Sequence, residues 1–132
     1  MTRDTSRKMF LVSAIFNWLI ASGLFFIPGA FLGLLHIDPL PDQTVWIQLF
    51  AALVFMFGVA YYWASRDFEA NVSVVRLGAI GKTTVVLVAL LNVATGDISW
   101  QLLIPASADL LFALLFLVAL RCAPAWASTG GI

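Results

Sequence analysis

Cysteine and histidine each occur once in this chain, and this scarcity excludes several kinds of chemistry. Cys122 alone cannot form an intrachain disulfide or a CxxC redox pair. His36 alone cannot supply bis-histidine haem ligation, and clusters of His and Cys that bind metals are equally out of reach. The sequence therefore predicts no resident metal and no cofactor.

Charge is also scarce, because charged residues make up 11% of the chain and the formal net charge is zero. A soluble domain carries about 25% charged residues, and a nucleic-acid-binding domain carries a basic field. Nucleic acid is therefore not expected as a partner. The hydrophobic share is 62%, and a domain this small buries only about two-thirds of its surface. The apolar excess predicts contact with a lipid bilayer.

Four apolar segments are long enough to cross that bilayer, which requires about 20 residues each. They predict an all-α membrane protein, a four-transmembrane-helix bundle in one integral membrane domain over residues 1–132. The expected spans are about 9–27, 44–64, 72–95 and 100–120. Apolar sequence continues past the first span, so we expect a break or kink at Pro28, after which 30–35 lie near the outer interface.

The basic residues predict the orientation of the four spans. Six of the seven lie in the N-terminal tail, in or beside the second loop, or at the end of the last span, whereas the first and third loops hold none. Positively charged loops remain in the cytoplasm. Both termini and the second loop are therefore expected on the cytoplasmic side. The six residues are Arg3, Arg7, Lys8, Arg66, Arg76 and Arg121.

Small and polar residues recur at helical spacing in each span, which is typical of faces that pack on other helices in a membrane. We expect these faces to look inward and the Leu, Val, Ile and Phe faces to meet lipid. In chain order the expected inward residues are Ser13, Asn17, Ala21, Gln48, Ala51, Ala52, Gly58, Tyr62, Gly78, Lys82, Ala89, Asn92, Pro105, Ala106, Asp109 and Ala113.

Asp109 and Lys82 are the sharpest functional candidates, because ionisable residues inside a membrane are costly. Asp109 is expected about 18 Å from the cytoplasmic edge, as an acid facing a partner or water, or as neutral glue between helices. Lys82 either snorkels to the interface or pairs with Asp109. A depth difference of about 6 Å argues against direct contact. Asn17, at nearly the depth of Lys82, could bond the ammonium or relay between the two.

Other polar residues complete the candidate set. Asn92 and Gln48 are further intramembrane candidates. The second loop contributes Arg66, Asp67 and Glu69, as a solvated turn with local ion pairs or as a docking surface for a partner. No set of residues predicts a nucleophile with its base, so no catalytic residue is expected.

Four short stretches resemble a known group: FGVAYY at 57–62, SRD at 65–67, LGAIGK at 77–82 and DLLF at 109–112. They resemble small uncharacterised four-helix inner-membrane proteins of bacteria, similar to the DoxX-like group. The resemblance implies a bacterial inner membrane and draws attention to Lys82 and Asp109. It implies no particular reaction.

Three functions remain open from the sequence. The first is a non-catalytic membrane component: an accessory subunit, a scaffold or a binder of a hydrophobic small molecule. The second is a small oligomeric transporter or channel, with or without proton coupling, that uses Asp109 and Lys82 along a water-filled path. The third is a subunit of a membrane enzyme acting on a quinone or lipid. A homo-oligomer or a larger membrane complex is the expected assembly.

Overall fold

A computed structural model describes residues 1–129, with side chains described as far as Trp126. The described part is 85% helical and contains no strand. The helices are α1 (Arg3–Phe26), α2 (Pro28–Leu34), α3 (Thr44–Arg66), α4 (Val72–Ala94) and α5 (Leu103–Thr129). One 3-10 turn, Glu69–Asn71, precedes α4, and another, Trp100–Leu102, precedes α5. Four helices in the described chain (α1, α3, α4 and α5) are long and apolar enough to cross a membrane.

The first and last of these helices extend beyond the predicted spans. Helix α1 begins six residues before Met9, because the Thr2 side chain accepts a hydrogen bond from the Thr5 backbone amide and caps the first turn. Asp4 and Lys8 form an ion pair one turn apart, at 2.9 Å. Hydropathy identifies only the apolar part of a helix, whereas a polar N-cap such as Thr2 allows the helix to begin several residues earlier.

The break at Pro28 is confirmed. Helix α1 ends at Phe26, Ile27 leaves the helical conformation at φ −137° and ψ 54°, and Pro28 begins α2. Proline is favoured at the first position of a helix, since its missing N–H would have no partner there. Helix α2 folds back on α1, and a Cβ on Gly23 would overlap the Phe31 ring. Close approach of Phe31 therefore requires glycine at that position.

The four long helices form two pairs, in which α1 packs mainly on α3 and α4 mainly on α5. Small residues permit close approach inside each pair. A Cβ on Gly58 of α3 would meet the Trp18 ring at 2.6 Å and the Ala14 carbonyl at 3.2 Å. In the other pair, Ala89 and Ala106 share one buried cluster.

Aromatic rings fill the space between the two pairs. Phe116 of α5 lies 4.8 Å from Phe10 of α1 and 4.9 Å from Tyr61 of α3, measured between ring centroids. Gly78 of α4 leaves room for this layer, because its Cβ would be 2.6 Å from Tyr61. The pairs are thus joined by large rings and by the polar residues described below.

Most of the expected inward faces are buried, and two positions are wrong. Ala52 and Tyr62 are exposed, whereas the neighbouring Tyr61 is only 1% exposed. Tyr61 and Tyr62 follow Gly58 by three and four residues, and both spacings keep a residue near one helix face. The α1–α3 crossing decides between them, which spacing alone cannot do.

The two ends of the bundle are held by different contacts. At one end the Trp126 indole donates to the Met1 carbonyl at 3.1 Å, which ties the start of the chain to α5. At the other end Ser99 joins the two remaining connections. Its backbone N–H donates to the Asp38 carbonyl at 2.7 Å, and its hydroxyl accepts from the Asp38 N–H at 2.9 Å.

Candidate functional site

A buried ion pair joins α4 to α5. The Lys82 Nζ lies 2.6 Å from the Asp109 Oδ1, which is a short charge-assisted hydrogen bond. The lysine side chain is 6% exposed and the aspartate side chain 22% exposed. The ammonium is therefore enclosed, and the carboxylate retains some access to the outside of the bundle.

This contact corrects the expectation that a difference in depth keeps the two residues apart. In the antiparallel α4–α5 pair, Gly78 lies against Phe116 and Ala89 packs with Ala106. This register sets Lys82 about three residues, or about 4.5 Å, from the level of Asp109 along the axes. The offset was therefore close to the expected one. The conclusion was wrong because the flexible four-carbon stem of lysine spans it. Lys82 does not snorkel toward the interface, because its ammonium is bonded to Asp109 inside the bundle.

Asn17 of α1 extends the ion pair to the other helix pair. Its Oδ1 accepts a hydrogen bond from the Lys82 Nζ at 3.2 Å, and its Nδ2 donates to the Val54 carbonyl of α3 at 3.1 Å. The carbonyl, the amide, the ammonium and the carboxylate of Asp109 thus form one polar chain that contacts all four long helices. Each link satisfies a polar group where lipid or packed side chains exclude water.

Three aromatic rings surround the ammonium. The Lys82 Nζ lies 5.8, 5.3 and 5.4 Å from the ring centroids of Phe16, Tyr61 and Phe112 respectively. At these distances a cation is attracted by the negative faces of the rings. The Ser13 hydroxyl, one helical turn before Asn17, is fully buried and makes no hydrogen bond. The positive charge of Lys82 is therefore stabilised by two oxygen atoms and by the faces of three aromatic rings.

The other two intramembrane candidates lie away from this cluster. The Asn92 amide donates to the Val88 carbonyl of its own helix at 2.9 Å, ten residues and about 15 Å along α4 from Lys82. The Gln48 amide donates to the Phe25 carbonyl at 3.3 Å, near the start of α3. The first bond is local to α4, and the second joins α3 to the end of α1.

The loop candidates are divided among separate contacts at the end of the bundle where the chain begins. Asp67 Oδ1 accepts from the Ala70 backbone N–H at 3.1 Å and so shapes the turn. Glu69 forms an ion pair with Arg3 of α1 at 3.0 Å. Arg66 lines a pocket with Arg3 and Arg7. Sequence reasoning did not connect the two N-terminal arginines with this loop.

Phe16, Tyr61 and Phe112 are the site residues that sequence reasoning missed. Phe16 adjoins Asn17, and Phe112 follows Asp109 by three residues, so helical spacing alone places Phe112 near the acid. Aromatic residues are abundant in this chain, however, and their proximity to a charge depends on how the helices are rotated. In the described residues, no group of three or more His, Cys, Asp or Glu side chains could hold a metal ion.

Comparisons of the chain with protein-family models, with curated proteins and with solved structures find no match. Function must therefore be argued from the site itself.

Proposed function

We propose that this chain is a non-catalytic multi-pass membrane protein that acts by binding, as an accessory subunit, a scaffold or a binder of a hydrophobic molecule. One observation supports this role above the others. At the centre of the bundle, Asn17, Lys82 and Asp109 are engaged with one another in a polar chain that contacts all four long helices. Such a network fixes how the helices fit together, and it leaves the outer surface for recognition.

The geometry of the ammonium supports the same reading. A group that acts on a substrate needs contact with it, or with one water that contacts it. The Lys82 side chain is 6% exposed, and the neighbours of its ammonium are two oxygen atoms and three aromatic rings. These contacts are those of a structural cation that specifies one arrangement of helices.

The proposed location is a bacterial inner membrane, with both termini and the second loop in the cytoplasm. The distribution of basic residues and the resemblance to DoxX-like proteins support it. Single cysteines at Asp97 and Glu69, in a Cys122→Ser background, test the orientation with a membrane-impermeant maleimide on intact cells. We expect labelling at position 97 and none at position 69 until the membrane is opened. The reverse pattern would contradict the orientation.

The binding role is tested with a variant that removes the whole ion pair, Lys82→Met/Asp109→Leu. Because this pair is proposed to be structural, native mass spectrometry should find the same assembly and the same bound lipid, ligand or partner in the variant and in the wild type. An ion flux in proteoliposomes that the wild type supports and this folded variant lacks would contradict a purely binding role.

A small oligomeric transporter is the second candidate, and the exposure of Asp109 favours it. The Asp109 side chain is 22% exposed within a membrane-spanning helix, and its Oδ1 is the oxygen atom that bonds Lys82. A carboxylate at that depth is costly unless water or a second subunit covers it. Proton-driven flux in proteoliposomes should fall at least tenfold in Asp109→Asn if this candidate is right. Equal flux in both proteins would exclude this use of Asp109.

A further inference from the structure

Arginine side chains from two helices gather at the end of the bundle where the chain begins. Arg3 and Arg7 of α1 and Arg66 at the end of α3 line a cavity of about 190 Å³, with Phe68. An adjoining cavity of about 260 Å³ shares Arg7 and Arg66 and is also lined by Asp4, Lys8, Leu11, Tyr62 and Ser65. Both cavities therefore lie at the seam between α1 and α3.

The charges around this seam are unevenly compensated. Three carboxylates lie nearby, and none of them is bonded to Arg7 or Arg66. Glu69 pairs with Arg3 at 3.0 Å, Asp4 pairs with Lys8 at 2.9 Å, and Asp67 accepts from the Ala70 backbone N–H at 3.1 Å. Arg7 uses its Nε for a hydrogen bond to the Ser65 carbonyl at 3.3 Å, which holds its planar guanidinium in place across the seam. The Arg66 side chain makes no hydrogen bond or ion pair with the described part of the chain. Two guanidinium groups thus share a cavity with no carboxylate bonded to either.

Guanidinium groups select the chemistry of the ligand. Their planar arrangement of donors matches the oxygen atoms of phosphate, and arginine is favoured where two such donors contact one phosphate group. A basic pocket between membrane helices, at the level where headgroups lie, is a known arrangement for anionic lipid headgroups. The apolar side of the seam is the feature that favours a lipid over a free anion as the ligand.

That apolar side is formed by Leu11 and Tyr62. Leu11 is 40% exposed and Tyr62 is 38% exposed, and both line the cavity that holds Arg7 and Arg66. Leu11 follows Arg7 by one helical turn, in the direction of the apolar body of α1. A ligand seated there meets positive charge at one end and hydrocarbon-like surface at the other.

From these observations we propose that Arg7 and Arg66 bind the phosphate of an anionic phospholipid, whose acyl chains run along Leu11 and Tyr62. Phosphatidylglycerol is the probe lipid. Such a lipid would join α1 to α3 at the headgroup level, with Arg3 as a third cation at the edge of the site. The inference requires only that the chain spans a membrane, and it is independent of the role proposed above.

The test compares lipid retention by native mass spectrometry. The full chain is placed in nanodiscs of equal parts phosphatidylglycerol and phosphatidylcholine, and the lipids that remain on the released protein are counted. The wild type should retain phosphatidylglycerol in preference to phosphatidylcholine. Removal of each arginine should reduce that preference about fivefold, so Arg7→Gln/Arg66→Gln should reduce it about 25-fold. Size-exclusion chromatography confirms that each variant remains folded.

Arg76→Gln is the matched control. Arg76 is an exposed arginine near the start of α4, and it lines neither cavity. This variant removes the same charge from the chain and should retain the lipid preference of the wild type. Arg7→Lys/Arg66→Lys keeps both charges and should show an intermediate preference, since an ammonium cannot contact phosphate with two fixed donors. The lysine pair also serves if the glutamine pair does not fold.

Three outcomes would overturn the proposal. The first is equal retention of the two lipids by the wild type, and the second is an equal loss of preference in Arg76→Gln. The third is displacement of the lipid by millimolar inorganic phosphate at unchanged ionic strength, which would assign the cavity to a free anion. Retention that survives phosphate and falls with both seam arginines would support a phospholipid.

Discussion

The buried Lys82–Asp109 pair gives the sharpest prediction, because the two side chains differ in how far each is enclosed. In Asp109→Leu, the ammonium of the 6% exposed Lys82 side chain keeps one oxygen acceptor, that of Asn17. Breaking a buried pair in this way costs about 3–5 kcal/mol of unfolding free energy. Lys82→Met leaves a carboxylate that is 22% exposed. We expect about 2.5–3.5 kcal/mol for this change, near the insertion cost of an unpaired intramembrane carboxylate.

The double variant Lys82→Met/Asp109→Leu should be far less destabilised than either single variant. Replacement of a whole buried ion pair by apolar side chains is often neutral or stabilising, so we expect it within about 1 kcal/mol of the wild type. The three variants then give a coupling free energy of at least about 4 kcal/mol. The assay is unfolding in dodecyl maltoside micelles titrated with SDS and followed by tryptophan fluorescence.

The matched control is the other Lys–Asp pair of the chain. Lys8 and Asp4 lie 2.9 Å apart on α1, with side chains 77% and 72% exposed. Because water surrounds this pair, the same substitutions there should give a coupling of about 0.3–0.5 kcal/mol. Additive effects of Lys82→Met and Asp109→Leu, or equal coupling in the two pairs, would refute the argument from burial.

Three further predictions use the same unfolding assay. Asn17→Leu should destabilise the protein by about 1.5–3 kcal/mol, since it removes a hydrogen bond to a charged group. Asn92→Leu should be near neutral, because the one hydrogen bond of the Asn92 side chain is to its own helix. Gly58→Ala should cost about 1–3 kcal/mol, because the new methyl group would push on the Trp18 indole and the Ala14 carbonyl. Gly29→Ala should have no such cost, because no atom lies within 4 Å of its Cβ. Ser99→Ala should cost about 1 kcal/mol and speed hydrogen exchange at the Asp38 amide, which donates to the Ser99 hydroxyl. Unchanged exchange at Asp38 would count against this contact between the two loops.

Local features of the fold were predictable because they depend on short stretches of sequence. Four helices long and apolar enough to cross a membrane lie close to the four expected spans, and the break at Pro28 lies where expected. Proline restricts the chain at its own position, and an apolar segment of sufficient length is recognisable by itself. The helix ends were predicted less well, because caps such as Thr2 act through single hydrogen bonds that hydropathy does not register.

The site was predictable in its members and not in its contacts. Asp109, Lys82 and Asn17 stand out in the sequence because polar residues are costly in a membrane. Whether they meet depends on the axial register and rotation of three helices. A shift of one residue changes these by about 1.5 Å and about 100°. For the same reason Tyr61, and not its neighbour Tyr62, faces the ammonium.

The sequence by itself determined that this chain has four apolar helices suited to a bilayer and a few polar residues within them, because hydropathy is a property of each segment. Only the tertiary structure decided that Lys82 bonds both Asp109 and Asn17, and that three aromatic rings enclose it. Small residues allow close approach inside each helix pair, and that packing sets the register between helices. The length of the lysine side chain then closes the remaining gap to the carboxylate.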